Sequence, residues 1–110
     1  MNTMLLDFYG ELLTDKQREC FDLHYNEDLS LSEIAEQCGI SRQGVWDNIR
    51  RAEAAMRGIE EKTGLIRRFS ELEKGLDRLS ESVRELAEIT DGRAGELARA
   101  ALHEIETLRG

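Results

Sequence analysis

One short stretch of the chain concentrates side chains that bind phosphates and nucleobases. Arginine bonds phosphate oxygens and guanine, glutamine can bond adenine through two atoms, and tryptophan stacks on bases. These residue types recur within residues 41–51 at spacings that a helix would bring to one exposed side. The sequence therefore predicts a nucleic-acid contact set made of Ser41, Arg42, Gln43, Trp46, Arg50 and Arg51.

The pattern around this set is typical of a helix-turn-helix. Ser30 and Glu33 have the spacing of a capping box, which predicts the start of a short helix. Gly39 supplies the left-handed conformation that ends that helix, and Ser41 is positioned to cap the next one. The second helix of such a motif normally lies in a DNA major groove. Its inner face is predicted to carry Val45, Ile49 and Ala52.

A further helix is predicted upstream, where it can pack behind the helix-turn-helix. Thr14 and Gln17 repeat the capping-box spacing, and apolar and aromatic side chains follow near one side of the helix. Such a helix supplies the core that the motif needs. Its inward-facing residues are Leu13, Cys20, Phe21, His24 and Tyr25.

The segments LTDKQREC, LSLSEIAEQCGISRQGVWDNIRRAE and EKTGL resemble the YlxM family of small bacterial helix-turn-helix proteins. The same unit resembles the last DNA-binding region of bacterial sigma factors, region 4. Two residues depart from the family pattern: Gly44 stands where a better helix former is usual, and Trp46 where a smaller aromatic is expected.

The resemblance implies an all-α fold, with a sigma region 4-like, winged-helix-like unit followed by a long helix and a terminal helix. We expect a helix-turn-helix domain with its N-terminal helix over residues 1–63 and a C-terminal helical extension over residues 64–110. Members of the family tend to be encoded beside components of the signal recognition particle. The resemblance therefore implies a link to that pathway, through its RNA or its GTPase.

Composition agrees with an all-helical protein. The chain has no proline, 35% charged residues and 5% aromatic residues, a profile of long helices with exposed charged faces. It has no run of 18 apolar residues, so no membrane span is expected. The N-terminus lacks the basic flank of a signal peptide, and a cytoplasmic location is expected.

Charge is distributed unevenly along the chain. Residues 1–40 hold 2 basic and 9 acidic side chains, residues 41–64 hold 5 and 4, and residues 65–110 hold 8 and 10, giving a net charge of −8. The predicted recognition helix is thus the only part that is not acidic, although Asp47 within it would repel a phosphate. Two function classes stay open: a DNA- or RNA-binding protein, and a protein–protein adapter that keeps the helix-turn-helix as a scaffold.

No catalytic or metal site is predicted. Cys20 and Cys38 do not form a C-x-x-C pair and fall on inward-looking positions, where reduced cysteines behave as small hydrophobes. A zinc site built from these two and His24 would lack a fourth ligand. There is no glycine-rich phosphate loop, nucleophile elbow or His-Glu-x-x-His motif, so neither a cofactor nor enzymatic activity is expected.

The C-terminal part carries a heptad seam. From Leu65 to Leu86 apolar residues recur at spacings that alternate between four and three. This spacing is typical of helices that pack against one another in coiled coils. One interpretation is a homodimer joined through Leu72, Leu76, Leu79, Val83 and Leu86. The alternative is an antiparallel hairpin within one chain, broken at Thr90–Gly92 and with Asp91 as the cap of the last helix.

Overall fold

The computed structural model describes all 110 residues and divides the chain into two compact units, Met1–Ile66 and Arg67–Gly110. Every regular element is helical, which confirms the predicted fold class. No strand follows the helix-turn-helix, so the expectation of a winged-helix-like module is wrong: the chain enters another helix where a β-wing would stand. The elements are α1 (Asn2–Tyr9), a 3-10 turn (Gly10–Leu12), α2 (Asp15–Tyr25), α3 (Leu31–Cys38), α4 (Arg42–Thr63), α5 (Leu65–Ile89) and α6 (Gly92–Arg109).

Capping hydrogen bonds start α2 and α3 at the predicted residues. The Thr14 hydroxyl accepts from the Gln17 N–H, and the Gln17 side chain accepts from the Thr14 N–H, both at 3.2 Å. Ser30 and Glu33 make the same reciprocal pair at 3.1 Å. Each box satisfies two N–H groups that a helix start otherwise leaves without a partner, and so fixes where the helix begins.

The Glu33 carboxylate makes the second capping box sensitive to pH. Hydrogen bonds from the backbone and then the side chain of Ser30 hold the pKa of Glu33 below its usual range. A carboxyl group whose pKa falls on folding stabilises the fold above its unfolded pKa of about 4.3. That contribution is lost as the pH falls through the lowered folded pKa.

We therefore expect the wild type to melt at a higher temperature than Glu33→Gln at pH 7. The two melting temperatures should converge as the pH falls below about 4, where the wild-type carboxyl also becomes neutral. Glu36→Gln, on the same short helix but outside the capping box, is the control and should show no such convergence. A gap for Glu33→Gln that persists at low pH would contradict the assignment.

Helix α4 is the centre of the first unit, because it packs against α1, α2 and α3. The Tyr9 hydroxyl of α1 donates to Glu60 Oε1 of α4 at 2.7 Å, and the same oxygen accepts from the Ile66 N–H at 2.9 Å. This carboxylate thereby ties α1 and the start of α5 to the end of α4. The buried core of the unit consists of Leu5, Tyr9, Cys20, Phe21, Ile34, Val45, Ile49, Ala52, Met56 and Ile66.

The second unit is an antiparallel hairpin of α5 and α6. At the end of α6, the Arg109 guanidinium lies 2.7 Å from Asp77 Oδ1, at the middle of α5, and 3.0 Å from Glu73 Oε2, one turn earlier. The link at Thr90–Asp91 is tight, since a Cβ at Gly95 would lie 2.7 Å from the Thr90 carbonyl oxygen. Asp91 precedes α6 as predicted, but its side chain makes no capping hydrogen bond.

None of these helices combines the length and the apolar composition that crossing a membrane requires.

Candidate nucleic-acid interface

The turn between α3 and α4 sets how α4 is presented to solvent. Gly39 adopts the predicted left-handed conformation, with φ 68°, and its N–H bonds the Ala35 carbonyl as α3 ends. The Ser41 hydroxyl then accepts from the Gly44 N–H at 3.0 Å and starts α4. A Cβ at Gly44 would lie 3.2 Å from that hydroxyl oxygen. Gln17 and Glu33 carry side chains at the equivalent positions of α2 and α3, so this contact does not explain the glycine.

Helix α4 buries one face and exposes the other. Val45, Ile49 and Ala52 are fully buried, as the sequence predicts, and Met56 continues the buried row one turn further on. Because side chains repeat every 3.6 residues, the opposite face of the first half of α4 points to solvent. All six predicted contact residues are exposed: Ser41, Arg42, Gln43, Trp46, Arg50 and Arg51.

Five of the six predicted contact residues line two shallow depressions on the surface of the protein. The first is formed by Arg42, Gln43 and Trp46 of α4 together with Leu31, the first residue of α3. Leu31 is not among the residues predicted from the sequence, although an apolar residue directly after the Ser30 cap is a signal that could have revealed it. The second depression is lined by Arg50, Arg51, Glu53, Ala54 and Arg57.

The arginines of these depressions differ in whether they are already paired. Arg57 bonds the Glu53 carboxylate at 2.9 Å and the Asn2 side-chain oxygen at 3.3 Å. Arg42, Arg50 and Arg51 make no ion pair and no side-chain hydrogen bond. Three guanidinium groups are therefore available for phosphates or base edges without first breaking an internal contact.

Unlike the three arginines, the Gln43 side chain already makes a hydrogen bond within the chain. Its amide nitrogen donates to Asp47 Oδ1 at 3.2 Å, one turn along α4. Bonding adenine in two places uses both the nitrogen and the oxygen of the amide, so Asp47 competes for half of that contact. Asp47 is thus more than the repulsive charge expected from the sequence, because it also holds the one side chain of the predicted contact set that is suited to adenine.

Trp46 is the only tryptophan of the chain and is 42% exposed. It shares its depression with the partly buried side chain of Leu31. A half-exposed indole can stack on a base, and it can equally fill a pocket on a protein partner. The geometry of Trp46 therefore fits both function classes that the sequence leaves open.

The two cysteines are free thiols in low-reactivity surroundings. Cys20 is fully buried and Cys38 is partly buried. Burial, followed by the hydrogen bond to Glu19, raises the pKa of Cys38 to about 11. Both metal binding and disulfide exchange need the thiolate, which this environment disfavours. No group of three or more His, Cys, Asp or Glu side chains is arranged to hold a metal ion.

The five residues predicted to join two chains fall into two groups. Leu72, Leu79 and Leu86 are 60%, 50% and 48% exposed. Leu76 and Val83 are half-buried. The heptad seam of α5 is therefore shared between an exposed row and a row that is partly covered.

An all-helical chain in which α3 and α4 form this capped turn, and in which α4 exposes unpaired arginines, is a helix-turn-helix protein. Residues 1–94 match the UPF0122 family, whose description reads "Putative helix-turn-helix protein, YlxM / p13 like". That description names no enzymatic activity. The chain belongs to this family, which confirms the resemblance to the YlxM family seen in the sequence.

Curated relatives from several bacteria carry the same family name. The UPF0122 protein of Thermoanaerobacter sp. (strain X514) is 51% identical over 81 residues, which cover 74% of this chain and 69% of the relative. That of Geobacillus kaustophilus is 49% identical over 79 residues, or 72% of each chain. That of Acetivibrio thermocellus is 58% identical over 66 residues, covering 60% and 56%.

Proposed function

We propose that this chain is a non-enzymatic, cytoplasmic regulatory or accessory protein that binds nucleic acid through the exposed face of α4. The observation that carries the proposal is the set of three unpaired guanidiniums, Arg42, Arg50 and Arg51, on the only segment of the chain that is not acidic. Membership of a helix-turn-helix family supports it, because the second helix of that motif is the usual nucleic-acid contact.

The three arginines lie at different positions along the helix axis. Arg42 and Arg50 are eight residues apart, about 12 Å along the α4 axis, so they contact separate positions of a nucleic acid. If each of the three neutralises one phosphate, the logarithm of the affinity falls with the logarithm of salt concentration with a slope of about −3 per chain. With a net charge of −8, binding by one chain is weak and strongly salt-dependent.

A comparative pulldown tests this proposal. Tagged wild type and the variant Arg42→Ala/Arg50→Ala are used as baits in source lysate, each with and without nuclease treatment. We expect only the wild-type bait to retain nucleic acid, and the proteins recovered with it to be lost after nuclease treatment. Partners that resist nuclease and that both baits retain equally would contradict the proposal.

The second candidate is a protein–protein adapter. It is favoured by the apolar depression at Leu31 and Trp46, which a protein side chain could fill, and by the acidic charge of the first 40 residues. Aromatic residues of this kind often anchor protein interfaces. Nuclease-resistant partners in the pulldown would support this candidate.

A finer proposal concerns the identity of the partner. The tendency of the family's members to be encoded beside signal recognition particle components supports a partner from that pathway. The test measures binding to the particle's RNA and to its GTPase in parallel, with an unrelated structured RNA of equal length as the control. Equal affinity for both RNAs and no binding to the GTPase would reject the pathway link while leaving general nucleic-acid binding intact.

Asp47 provides a charge-based prediction. Asp47→Asn keeps an oxygen that can accept from Gln43 but removes the negative charge beside the predicted phosphate contacts. We expect it to raise nucleic-acid affinity by about 1 kcal/mol, or roughly fivefold, as the Coulomb energy at contact distance in water indicates. The measurement is fluorescence anisotropy of a labelled nucleic acid at fixed salt.

Glu61→Gln is the matched control for this variant. Glu61 is an exposed acid on the same helix, 14 residues or about 21 Å beyond Asp47, which is more than a Debye length at moderate salt. We expect it to leave the affinity unchanged. Equal gains in nucleic-acid affinity from both variants would show that the affinity depends on net charge rather than on the position of Asp47.

A further inference from the structure

The hairpin of α5 and α6 exposes two apolar rows. On α5, Leu72, Leu79 and Leu86 recur every seven residues. On α6, the row alternates at spacings of three and four and consists of Ala94, Leu97, Ala101 and, after Glu104, Leu108. The leucines of both rows are between 48% and 77% exposed. We call these seven apolar residues the leucine face.

Both rows lie on the same side of the hairpin. Each exposed leucine directly precedes a residue of the row that packs between the helices: Leu79 precedes buried Ser80, and Leu97 precedes buried Ala98. Leu108 likewise precedes Arg109, which bonds across to α5. Two antiparallel helices are related by a local two-fold axis perpendicular to the plane that contains them. Residues one position before the packed row of each helix are therefore equivalent under that axis and lie on the same side of the hairpin. The leucine face is therefore one surface.

We infer that a second copy of this chain covers the leucine face, so that two hairpins form a four-helix bundle. The face has the spacing of four and three that apolar residues need to interdigitate with an identical helix. An isologous contact of this kind closes on itself and leaves no face exposed, as is usual for soluble homodimers.

The size of the face fits such an interface. Helix α6 has 18 residues. At about 1.5 Å per residue and about 10 Å per helix, the side of the hairpin that carries the face spans roughly 27 Å by 20 Å, on the order of 500 Å² as a flat footprint. The accessible area of a corrugated surface exceeds its footprint, and stable interfaces bury about 600–1,000 Å² on each partner. The leucine face thus suits a dimer near the lower end of that range.

Gly75 points to close approach by another helix. It lies in the interior of α5, where glycine costs about 1 kcal/mol relative to alanine. A Cβ at this position would meet only the tip of Arg78, at 3.8 Å, so nothing within the chain requires a glycine. The residue lies between Leu72 and Leu79 along α5, where the absence of a side chain lets a neighbouring helix come near.

Charge favours a second copy over a bilayer surface or a nucleic acid. Residues 65–110 carry 8 basic and 10 acidic side chains, so two hairpins meet with little net repulsion. A bilayer surface is anionic and would repel a chain of net charge −8. The same acidity disfavours nucleic acid on this face. This inference is independent of the proposed function of α4.

The test measures the mass of the full chain in solution by sedimentation equilibrium at micromolar concentration. Wild type is compared with Leu79→Glu/Leu97→Glu, which places a charge in each row, and with Leu79→Lys/Leu97→Lys. The control Arg84→Ala/Arg99→Ala changes the net charge as much as the glutamate variant does, but on the other side of the hairpin. We expect wild type and control at twice 12.6 kDa and each leucine variant alone as a monomer.

Mixing the two leucine variants makes the test decisive even if either one loses helicity on its own. In a dimer, the acidic face of one copy meets the basic face of the other, so the mixture should recover both the dimer mass and helical circular dichroism. Wild type that stays at 12.6 kDa would overturn the inference. So would a dimer that the leucine variants leave intact, or variants whose mixture recovers no association.

Discussion

The variant Arg42→Ala/Arg50→Ala should bind nucleic acid at least roughly 30-fold more weakly than wild type, a loss of about 2 kcal/mol or more. Each arginine is exposed on α4 and makes no internal ion pair, so each is free to contact nucleic acid. A base contact contributes about 1–3 kcal/mol, whereas loss of a phosphate contact reduces the slope of the salt dependence by about one unit. Anisotropy titrations of labelled DNA and RNA at several salt concentrations separate these two cases.

The control for this variant is Arg84→Ala/Arg99→Ala, which makes the same change in net charge within the second unit. We expect the control to bind nearly as well as wild type. If both double variants lose affinity equally, binding depends on overall charge and the α4 interface is wrong.

The largest expected effect on stability comes from Ile49→Ala. The Ile49 side chain is fully buried in the core of the first unit, on the face of α4 opposite the predicted contacts. Removing three carbons from such a site costs about 2–5 kcal/mol. A unit of this size has a total stability of about 3–10 kcal/mol, so the variant should lose a large part of it and unfold at a much lower denaturant concentration than wild type.

Chemical denaturation followed by circular dichroism measures this effect. The adjacent Arg50→Ala is the control, because Arg50 is exposed and its loss should change the free energy of unfolding by less than about 0.5 kcal/mol. Equal denaturation midpoints for the two variants would show that α4 does not pack as described.

The parts of the fold that the sequence predicts correctly are those set by local interactions. The Ser30 and Glu33 capping box, the left-handed Gly39 and the Ser41 cap each depend on a few neighbouring residues. The buried row on α4 follows from helical periodicity, which needs no knowledge of the partner helices. For the same reason the exposure of the predicted contact set was foreseeable.

The remaining features depend on contacts between distant residues or on choices among exposed side chains. A seven-residue repeat does not reveal that Leu76 and Val83 are half-buried while Leu79 is exposed, because that depends on where α6 lies. The bond between Gln43 and Asp47 is one of several pairings open to exposed side chains, and the periodicity of α4 does not select it.

The fluorescence of Trp46 gives the most direct measurement of nucleic-acid binding through α4. As the only tryptophan, half-exposed beside Arg42 in the first depression, it reports on the proposed interface without any label. The experiment titrates wild type and Arg42→Ala/Arg50→Ala with duplex DNA and with structured RNA at low salt. We expect a saturable change in wild-type emission that is reversed by salt and absent in the variant. Emission that no nucleic acid alters at low salt, but that a protein partner from the lysate does alter, would contradict nucleic-acid binding and leave the adapter function in its place.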